Sequence, residues 1–264
     1  MDFFSLEFFV SMEIYTFIIL CLAAFAAGFV DAVVGGGGLL QTPVGLIVMA
    51  NESVSTVIGT LKVPAFCGTA MAARQYLKQV ALKFRLLLVM SVVAFLASFA
   101  GSWLLTRVGN EFMKPILLVV LVGIAAYTFL KKDFGQLTQK NQTPNTMMWY
   151  SLLMAVVIGF YDGFIGPGTG SFLVLGFIIL LGFDFLQASA HAKMVNLATN
   201  LGSIILFISK GKIIATIALP MAVANALGGW LGAKIALKNG NQFIRRVFLV
   251  VVIGTLLRFA WDIF

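Results

Sequence analysis

The chain has 264 residues, of which 61% are hydrophobic and 11% are charged. Soluble domains carry roughly 25% charged residues, so this composition excludes an ordinary water-soluble fold and indicates a protein that lies in a lipid bilayer. The net charge of +8 is explained by Lys and Arg residues in short loops beside the membrane. Nucleic acid is not a predicted partner, because the sequence has no compact basic stripe interleaved with aromatic residues.

Apolar segments follow one another along the chain, five in each half. The pattern predicts those of the first half at 14–34, 39–50, 54–73, 84–106 and 112–130, and those of the second half at 147–165, 171–181, 188–209, 213–237 and 243–263. Most of these segments are long enough to cross the hydrocarbon core, which takes about 20 residues of helix. The predicted fold class is therefore an all-α, polytopic membrane protein with about 8–10 transmembrane helices.

The second segment of each half is too short for a full crossing. A helix of about twelve residues rises about 18 Å, whereas the hydrocarbon core is about 30 Å thick. We therefore predict that 39–50 and 171–181 are half-length helices, each forming a hairpin with the segment before it. The glycine-rich tip of each hairpin would lie inside the membrane, where irregular backbone is tolerated only if it is buried in protein or lines a wet cavity. Whether the short helices cross or re-enter stays open.

The two halves of the chain are related by an internal repeat. Five residues of the element at 28–38 recur unchanged 131 positions later. At the same spacing, Asp31 matches Asp162 and Lys62 matches Lys193. Chance matches of Leu and Val are expected in apolar sequence, but a matched Asp, a matched Lys and several matched Gly at one register indicate a duplicated unit.

An odd number of crossings in each unit would place the second half upside down relative to the first. That arrangement also gathers more Lys and Arg residues on one side of the membrane than re-entrant short segments would, and such a bias marks the cytoplasmic side. We predict two inverted repeats within one membrane domain, with the first repeat at 1–135, a linker at 136–146 and the second repeat at 147–264.

Two carboxylates lie deep in apolar sequence, since Asp31 and Asp162 each precede a glycine cluster. A carboxylate at that depth is costly and asks for a functional explanation. Two such elements in corresponding halves indicate a binding site between the repeats. Because burial disfavours the charged form of a carboxyl group, we assign proton coupling to these two residues as a hypothesis.

The glycine clusters and two lysines predict an anion site. The glycines expose backbone N–H groups at the start of the following helix, where the helix dipole attracts anions. Lys62 and Lys193 lie away from the loops, and Asn196 and Asn200 share a helical face with Lys193. The predicted substrate-binding residues are Gly36, Gly37, Gly38, Lys62, Gly168, Thr169, Gly170, Lys193, Asn196 and Asn200.

Two other interpretations of these residues stay open. The glycines could serve only close helix packing, and each Lys could pair with Asp31 or Asp162. Gln41, Thr42 and Thr60 are further polar residues that could complete a pocket. The sequence contains neither a metal-ligand cluster nor the Gly-Lys-Ser/Thr ending of a nucleotide-binding loop, so no metal and no cofactor is predicted.

Glycine-rich segments lie at 28–43 and 159–172, the stretch Gly-Thr-Leu-Lys lies at 59–62, and the stretch Ala-Lys-Met-Val-Asn-Leu-Ala-Thr-Asn-Leu lies at 192–201. Together these motifs resemble the TauE/SafE family of bacterial membrane transporters, and the resemblance spans nearly the whole chain. It implies transport of small sulfur-containing anions such as sulfite, sulfoacetate or related organosulfonates. It also implies a location in the bacterial inner membrane.

The predicted function is secondary transport of such an anion rather than enzymatic catalysis. Access would alternate around a site near the midplane of the membrane, with proton coupling at Asp31 or Asp162. A passive anion channel with the same pocket is one alternative. A membrane-embedded enzyme acting on a lipid phosphate is another, disfavoured by the single His and the missing acid–base pair. The predicted partners are a small anion, protons and the lipid bilayer, with homodimer formation left open.

Overall fold

The fold is described by a computed structural model that covers residues 14–113 and 144–263. The helices in this part of the chain are α1 (Ile14–Val34), α2 (Gly37–Val48), α3 (Val54–Tyr76), α4 (Phe84–Leu105), α5 (Pro144–Phe164), α6 (Thr169–Ile179), α7 (Phe185–Ser209) and α8 (Ala215–Ile263). The same residues contain no β-strand. The prediction of an all-α, polytopic membrane protein is confirmed. The inversion of the second half stays a prediction.

The helix bounds agree with the predicted segments to within a few residues. α1 covers the residues predicted for the first segment, and α8 covers the two segments predicted at 213–237 and 243–263, with a break between them at Gly240, where φ is 68° and ψ is −162°. α5 begins inside the predicted linker, at Pro144, because proline suits the first turn of a helix. The predicted segment at 112–130 and the rest of that linker lie almost entirely outside the described residues.

Within residues 14–113 and 144–263, six helical stretches are long and apolar enough to cross a membrane: α1, α3, α4, α5, α7 and the part of α8 up to Gly240. α2 and α6 have only 12 and 11 residues, which is the half-length predicted for them. Large apolar side chains such as Leu22, Leu96 and Leu153 are exposed on the outer helix faces, where lipid would cover them. The chain is therefore a multi-pass membrane protein.

Local sequence accounts for where the key helices begin and end. Ser53 and Asp184 cap the third helix of each half, α3 and α7, by accepting hydrogen bonds from the backbone N–H groups of Thr56 and Gln187. Such caps satisfy backbone donors that the first turn leaves without a partner. At the hairpin tips, α1 ends just before Gly35 and α5 ends two residues before Gly166. Both glycines have a positive φ, a conformation that glycine adopts more easily than other residues.

The main helix contacts are formed between the two halves of the chain. α1 packs against α8 and α5 packs against α4, so the first helix of each half lies against the fourth helix of the other. α3 packs against α8, α7 packs against α4, and α3 and α7 also contact each other. A Cβ atom on Gly232 would overlap the carbonyl oxygen of Phe29, and a Cβ atom on Gly101 would overlap the carbonyl oxygen of Phe160. These two contacts are related by the 131-residue spacing in both partners, so glycine permits the same close helix approach twice.

Candidate functional site

The tips of the two hairpins meet inside the molecule. Gly35 has a φ of 81° and its counterpart Gly166 has a φ of 95°. The backbone N–H of Ser171 donates a hydrogen bond to the carbonyl of Gly35 at 3.0 Å, and the Ser171 hydroxyl donates to the carbonyl of Val34 at 3.1 Å. A Cβ atom on Gly35 or on Gly170 would overlap the backbone of the other residue. The tips are therefore glycine-rich because two backbones touch there.

A cavity of about 60 Å³ lies beside these tips. One water molecule needs roughly 10–15 Å³ of such space, so the cavity has room for several waters or for one small oxyanion. Polar and charged groups from both halves line it. The predicted site residues among them are Asp31, Gly37, Gly38, Lys62, Asp162, Gly168, Thr169, Gly170, Asn196 and Asn200.

Two of the predicted residues, Gly36 and Lys193, are not among those that line the cavity. Gly36 occupies the N-cap position of α2. Lys193 is fully buried and its Nζ bonds to Asp31. The roles assigned to all of these residues in binding stay predictions, although the structure places most of them around one space.

Two buried ion pairs join the halves. Lys62 Nζ lies 2.7 Å from Asp162 Oδ2, and Lys193 Nζ lies 2.8 Å from Asp31 Oδ2. Each lysine therefore pairs with the aspartate of the other half, so the pairs are related by the repeat. The exposed fractions of the side chains are 7% and 3% in the first pair and 1% and 16% in the second. Removing one partner of such a pair leaves a buried charge without compensation, which costs about 3–5 kcal/mol.

The two pairs differ in how firmly their aspartates are held. Lys193 donates to both the carboxylate and the backbone carbonyl of Asp31, and Thr69 Oγ1 donates to Asp31 Oδ2 at 3.2 Å. Within the described residues, Asp162 Oδ2 has Lys62 nearby but accepts no well-aligned hydrogen bond. Lys62 has three N–H donors and lines the cavity, so it is the lysine that an anion in the cavity can reach.

Asn225 of α8 also lines the cavity, although the sequence patterns did not single it out. Its Nδ2 donates to Gln41 Oε1 at 2.8 Å, and Gly28 and Gly68 both lie directly against it. The repeat gives no hint of this residue, because position 94, its counterpart, is an alanine. A lone amide in the middle of an apolar helix was the available signal, since buried polar residues in membrane spans tend to be functional.

The described residues contain no group of three or more His, Cys, Asp or Glu side chains placed to hold a metal ion. The chemistry that the cavity offers is recognition by charge and hydrogen bonds. Among the described residues, the cavity is lined by the ammonium group of Lys62, the carboxylates of Asp31 and Asp162, the amides of Asn196, Asn200 and Asn225, and the N-terminal turns of α2 and α6.

Comparisons with known proteins agree with this architecture. The family model described as sulfite exporter TauE/SafE matches residues 20–259. A probable membrane transporter protein of Sinorhizobium is 34% identical over 243 residues, which cover 92% of each chain. A probable membrane transporter protein of Haemophilus influenzae is 32% identical over 92% of this chain and 94% of its own. The probable membrane transporter protein YfcA of Escherichia coli is 34% identical over 88% of this chain and 85% of its own. No solved structure matches the chain at a significant level.

Proposed function

This chain belongs to the sulfite exporter TauE/SafE family of membrane transporters, and on that premise we propose that it is a secondary transporter of a small sulfur-containing oxyanion in the bacterial inner membrane. The observation that carries the proposal is that Lys62, a buried lysine paired with Asp162, lines a small cavity between the hairpin tips. Sulfite is the first candidate substrate, and sulfoacetate and related organosulfonates follow it.

The surroundings of the cavity favour an anion over a cation or a neutral solute. The first residues of α2 and α6, among them Gly37, Gly38, Thr169 and Gly170, line it. Helix N-termini carry a partial positive charge, which attracts oxyanions. The N–H groups of Leu39, Thr169 and Ser171 already donate to carbonyls, so the dipole and the remaining N–H groups of these turns support the proposal. The side-chain amides of the asparagines add hydrogen-bond donors without adding charge.

The size of the cavity favours a compact oxyanion. A space of about 60 Å³ suits sulfite, which fills about as much volume as a few water molecules. Sulfoacetate adds a methylene group and a carboxylate to the sulfonate head, so its binding would require the cavity to expand. We therefore expect sulfite to bind more tightly than sulfoacetate.

Transport would proceed by movement of one half against the other around the cavity. The ion pairs between Lys62 and Asp162 and between Lys193 and Asp31 join the two halves, so they are suited to sense such movement. We assign proton coupling to one of the two aspartates. The driving force is then an ion gradient or the gradient of the substrate itself.

The test is uptake of radiolabelled sulfite and sulfoacetate into proteoliposomes under an imposed pH gradient. Wild type is compared with Lys62→Ala, and Lys210→Ala serves as the matched control because Lys210 is exposed at the C-terminal end of α7. We expect saturable uptake by wild type and by the control, and a loss of at least tenfold in affinity for Lys62→Ala, which corresponds to about 1.4 kcal/mol.

Three outcomes would contradict parts of this proposal. Absence of saturable uptake for both anions would reject the substrate class. Normal affinity in Lys62→Ala would reject the lysine site. Uptake that is unaffected by the pH gradient would indicate a facilitator or channel in place of a proton-coupled transporter.

A further inference from the structure

We propose that Asp162, and not Asp31, takes up a proton when the anion binds, because the anion displaces Asp162 from Lys62. This inference rests on the proposed function and assigns the coupling step to one residue. It follows from the charges around the cavity, from the position of each lysine and from the bonds that each aspartate would keep.

The charged side chains around the cavity are balanced. In the described part of the chain, Asp31, Asp162 and Lys62 line the cavity, and Lys193 is bonded to Asp31. Two positive and two negative side chains therefore face one another. An anion brings one further negative charge into a buried space, and such a charge is strongly unfavourable without compensation. Uptake of one proton restores the balance for a monovalent anion.

The anion is expected to bind Lys62 in preference to Lys193. Lys62 lines the cavity and Lys193 does not. The ammonium group of Lys193 also donates hydrogen bonds to the carboxylate and to the backbone carbonyl of Asp31. An incoming oxyanion therefore meets Lys62 and competes with Asp162 for its N–H groups.

Asp162 would be left without a partner by that exchange. Asp31 would keep its bonds to Lys193 and Thr69, whereas Lys62 is the only cation within 4 Å of Asp162 among the described residues. The side chain of Asp162 is only 3% exposed, so bulk water gives its charge little stabilisation. A buried carboxylate that has lost its cation is most easily stabilised by protonation.

Within the described part of the chain, the other elements packed around Asp162 offer no replacement for Lys62. Tyr161 is the adjacent titratable group, and its hydroxyl already donates to the carbonyl of Pro167 at 2.5 Å. α4 contributes Ser98 and Ser102 beside Gly163, and α6 has no charged or titratable residue. Of the remaining charged groups at the cavity, Asp31 is negative and Lys193 is bound to it.

The exchange is balanced in atoms and charge. The contact between Lys62 and Asp162 breaks, Lys62 forms a hydrogen bond to an oxygen of the anion, and the carboxylate of Asp162 gains a proton from water. No covalent bond of the anion breaks. Release of the anion reverses the exchange, Asp162 returns its proton, and the pair with Lys62 forms again. One proton then accompanies each monovalent anion.

The first test counts protons during binding. Sulfite is titrated into purified full-length protein in detergent by isothermal titration calorimetry, in buffers that differ in ionisation enthalpy. Wild type is expected to take up about one proton more than Asp162→Asn, and protons bound by sulfite itself cancel in the comparison. Asp184→Asn is the matched control, because Asp184 is a helix cap and asparagine caps equally well. Asp31→Asn is expected to keep the wild-type proton count.

The direction of the change in sulfite affinity also distinguishes this proposal from a purely structural role for Asp162. In Asp162→Asn no carboxylate competes for Lys62, so sulfite should bind at least tenfold more tightly than to wild type at neutral pH. If Asp162→Asn does not fold, infrared difference spectroscopy of wild type is used, and sulfite should produce the band of a newly protonated carboxyl group that persists in Asp31→Asn.

Several outcomes would overturn the inference while the proposed function stands: sulfite binding with equal proton counts in wild type and Asp162→Asn, loss of the proton only in Asp31→Asn, or a wild-type infrared spectrum without the carboxyl band. Failure of wild type to bind sulfite at all would instead reject the substrate proposed above, and the inference with it.

Discussion

Lys193 donates hydrogen bonds to both the carboxylate and the backbone carbonyl of Asp31, and its Nζ lies 2.8 Å from Asp31 Oδ2. This contact joins the third helix of the second half to the first helix of the first half. The lysine is fully buried, so its charge depends on Asp31 for compensation. The pair between Lys62 and Asp162 joins the third helix of the first half to the first helix of the second half, and both of its residues line the cavity. Both pairs join the halves, but of the pair between Lys193 and Asp31 only Asp31 lines the cavity.

The first prediction concerns the stability that Lys193 and Asp31 provide. Lys193→Met should destabilise the protein by about 3 kcal/mol, because Asp31 loses its cation in a largely buried position. The double variant Lys193→Met/Asp31→Asn should recover most of that loss, because neither residue is then charged. Unfolding in mixed detergent micelles, followed by circular dichroism, measures both effects. Additive losses in the double variant would mean that the two residues do not stabilise each other.

The second prediction concerns the contact between the hairpin tips. Gly35→Ala should abolish transport and lower stability by at least about 1–2 kcal/mol, because φ of 81° is unfavourable for alanine and the new Cβ would overlap Gly170. Gly109→Ala is the matched control, since a Cβ there would meet no atom within 4 Å. Thermal unfolding and sulfite uptake are compared for both variants. Wild-type uptake by Gly35→Ala would show that the tips need not touch.

Much of the fold was predictable because hydrophobic length decides it. The bounds of α1 followed from a long apolar stretch in which Asp31 is the one charged residue, and the short lengths of α2 and α6 followed from the glycines and polar residues that border them. The break in α8 at Gly240 was also expected between two apolar segments. These features depend on neighbouring residues in the chain, so a single sequence contains the information.

The candidate site was predictable in its members but not in its connections. The repeat identified Asp31, Asp162, Lys62 and Lys193 as matched charges, yet which lysine binds which aspartate depends on how the halves pack. The exclusion of Lys193 from the cavity has the same origin. Asn225 could not be found from the repeat, because the residue that matches it is apolar.

The third prediction concerns the specificity of the cavity. Asn225→Ala should enlarge the cavity and remove the hydrogen bond to Gln41, so uptake of sulfoacetate relative to sulfite should rise several-fold. A modest loss of stability, about 0.6–2 kcal/mol, should accompany the lost bond. Asn239→Ala is the matched control, because Asn239 is exposed and its Nδ2 donates to the carbonyl of Ile235 in its own helix. An unchanged ratio of the two uptake rates in Asn225→Ala would mean that Asn225 does not limit substrate size.

The fourth prediction concerns a buried serine cluster that joins α4 to α7. Ser203 Oγ lies 2.8 Å from Ser98 Oγ and 2.9 Å from Ser102 Oγ, and the Ser102 hydroxyl is also within 3.1 Å of the carbonyl of Gly163. The positions 131 residues after Ser98 and Ser102 hold Gly229 and Ala233. The other half therefore lacks this network.

Ser203→Ala should therefore destabilise the protein by about 1 kcal/mol, since hydrogen bonds between helices in a membrane contribute about 0.6 kcal/mol each. Sulfite affinity should stay at the wild-type value, because Ser203 does not line the cavity. Ser209→Ala is the matched control, as Ser209 ends the same helix and its hydroxyl donates to the carbonyl of Leu206 within that helix. Equal stability of the two variants in mixed micelles would show that apolar packing between α4 and α7, without the serine hydrogen bonds, is enough to hold these helices together. A change in sulfite affinity without a change in stability would instead connect this helix contact to the binding site.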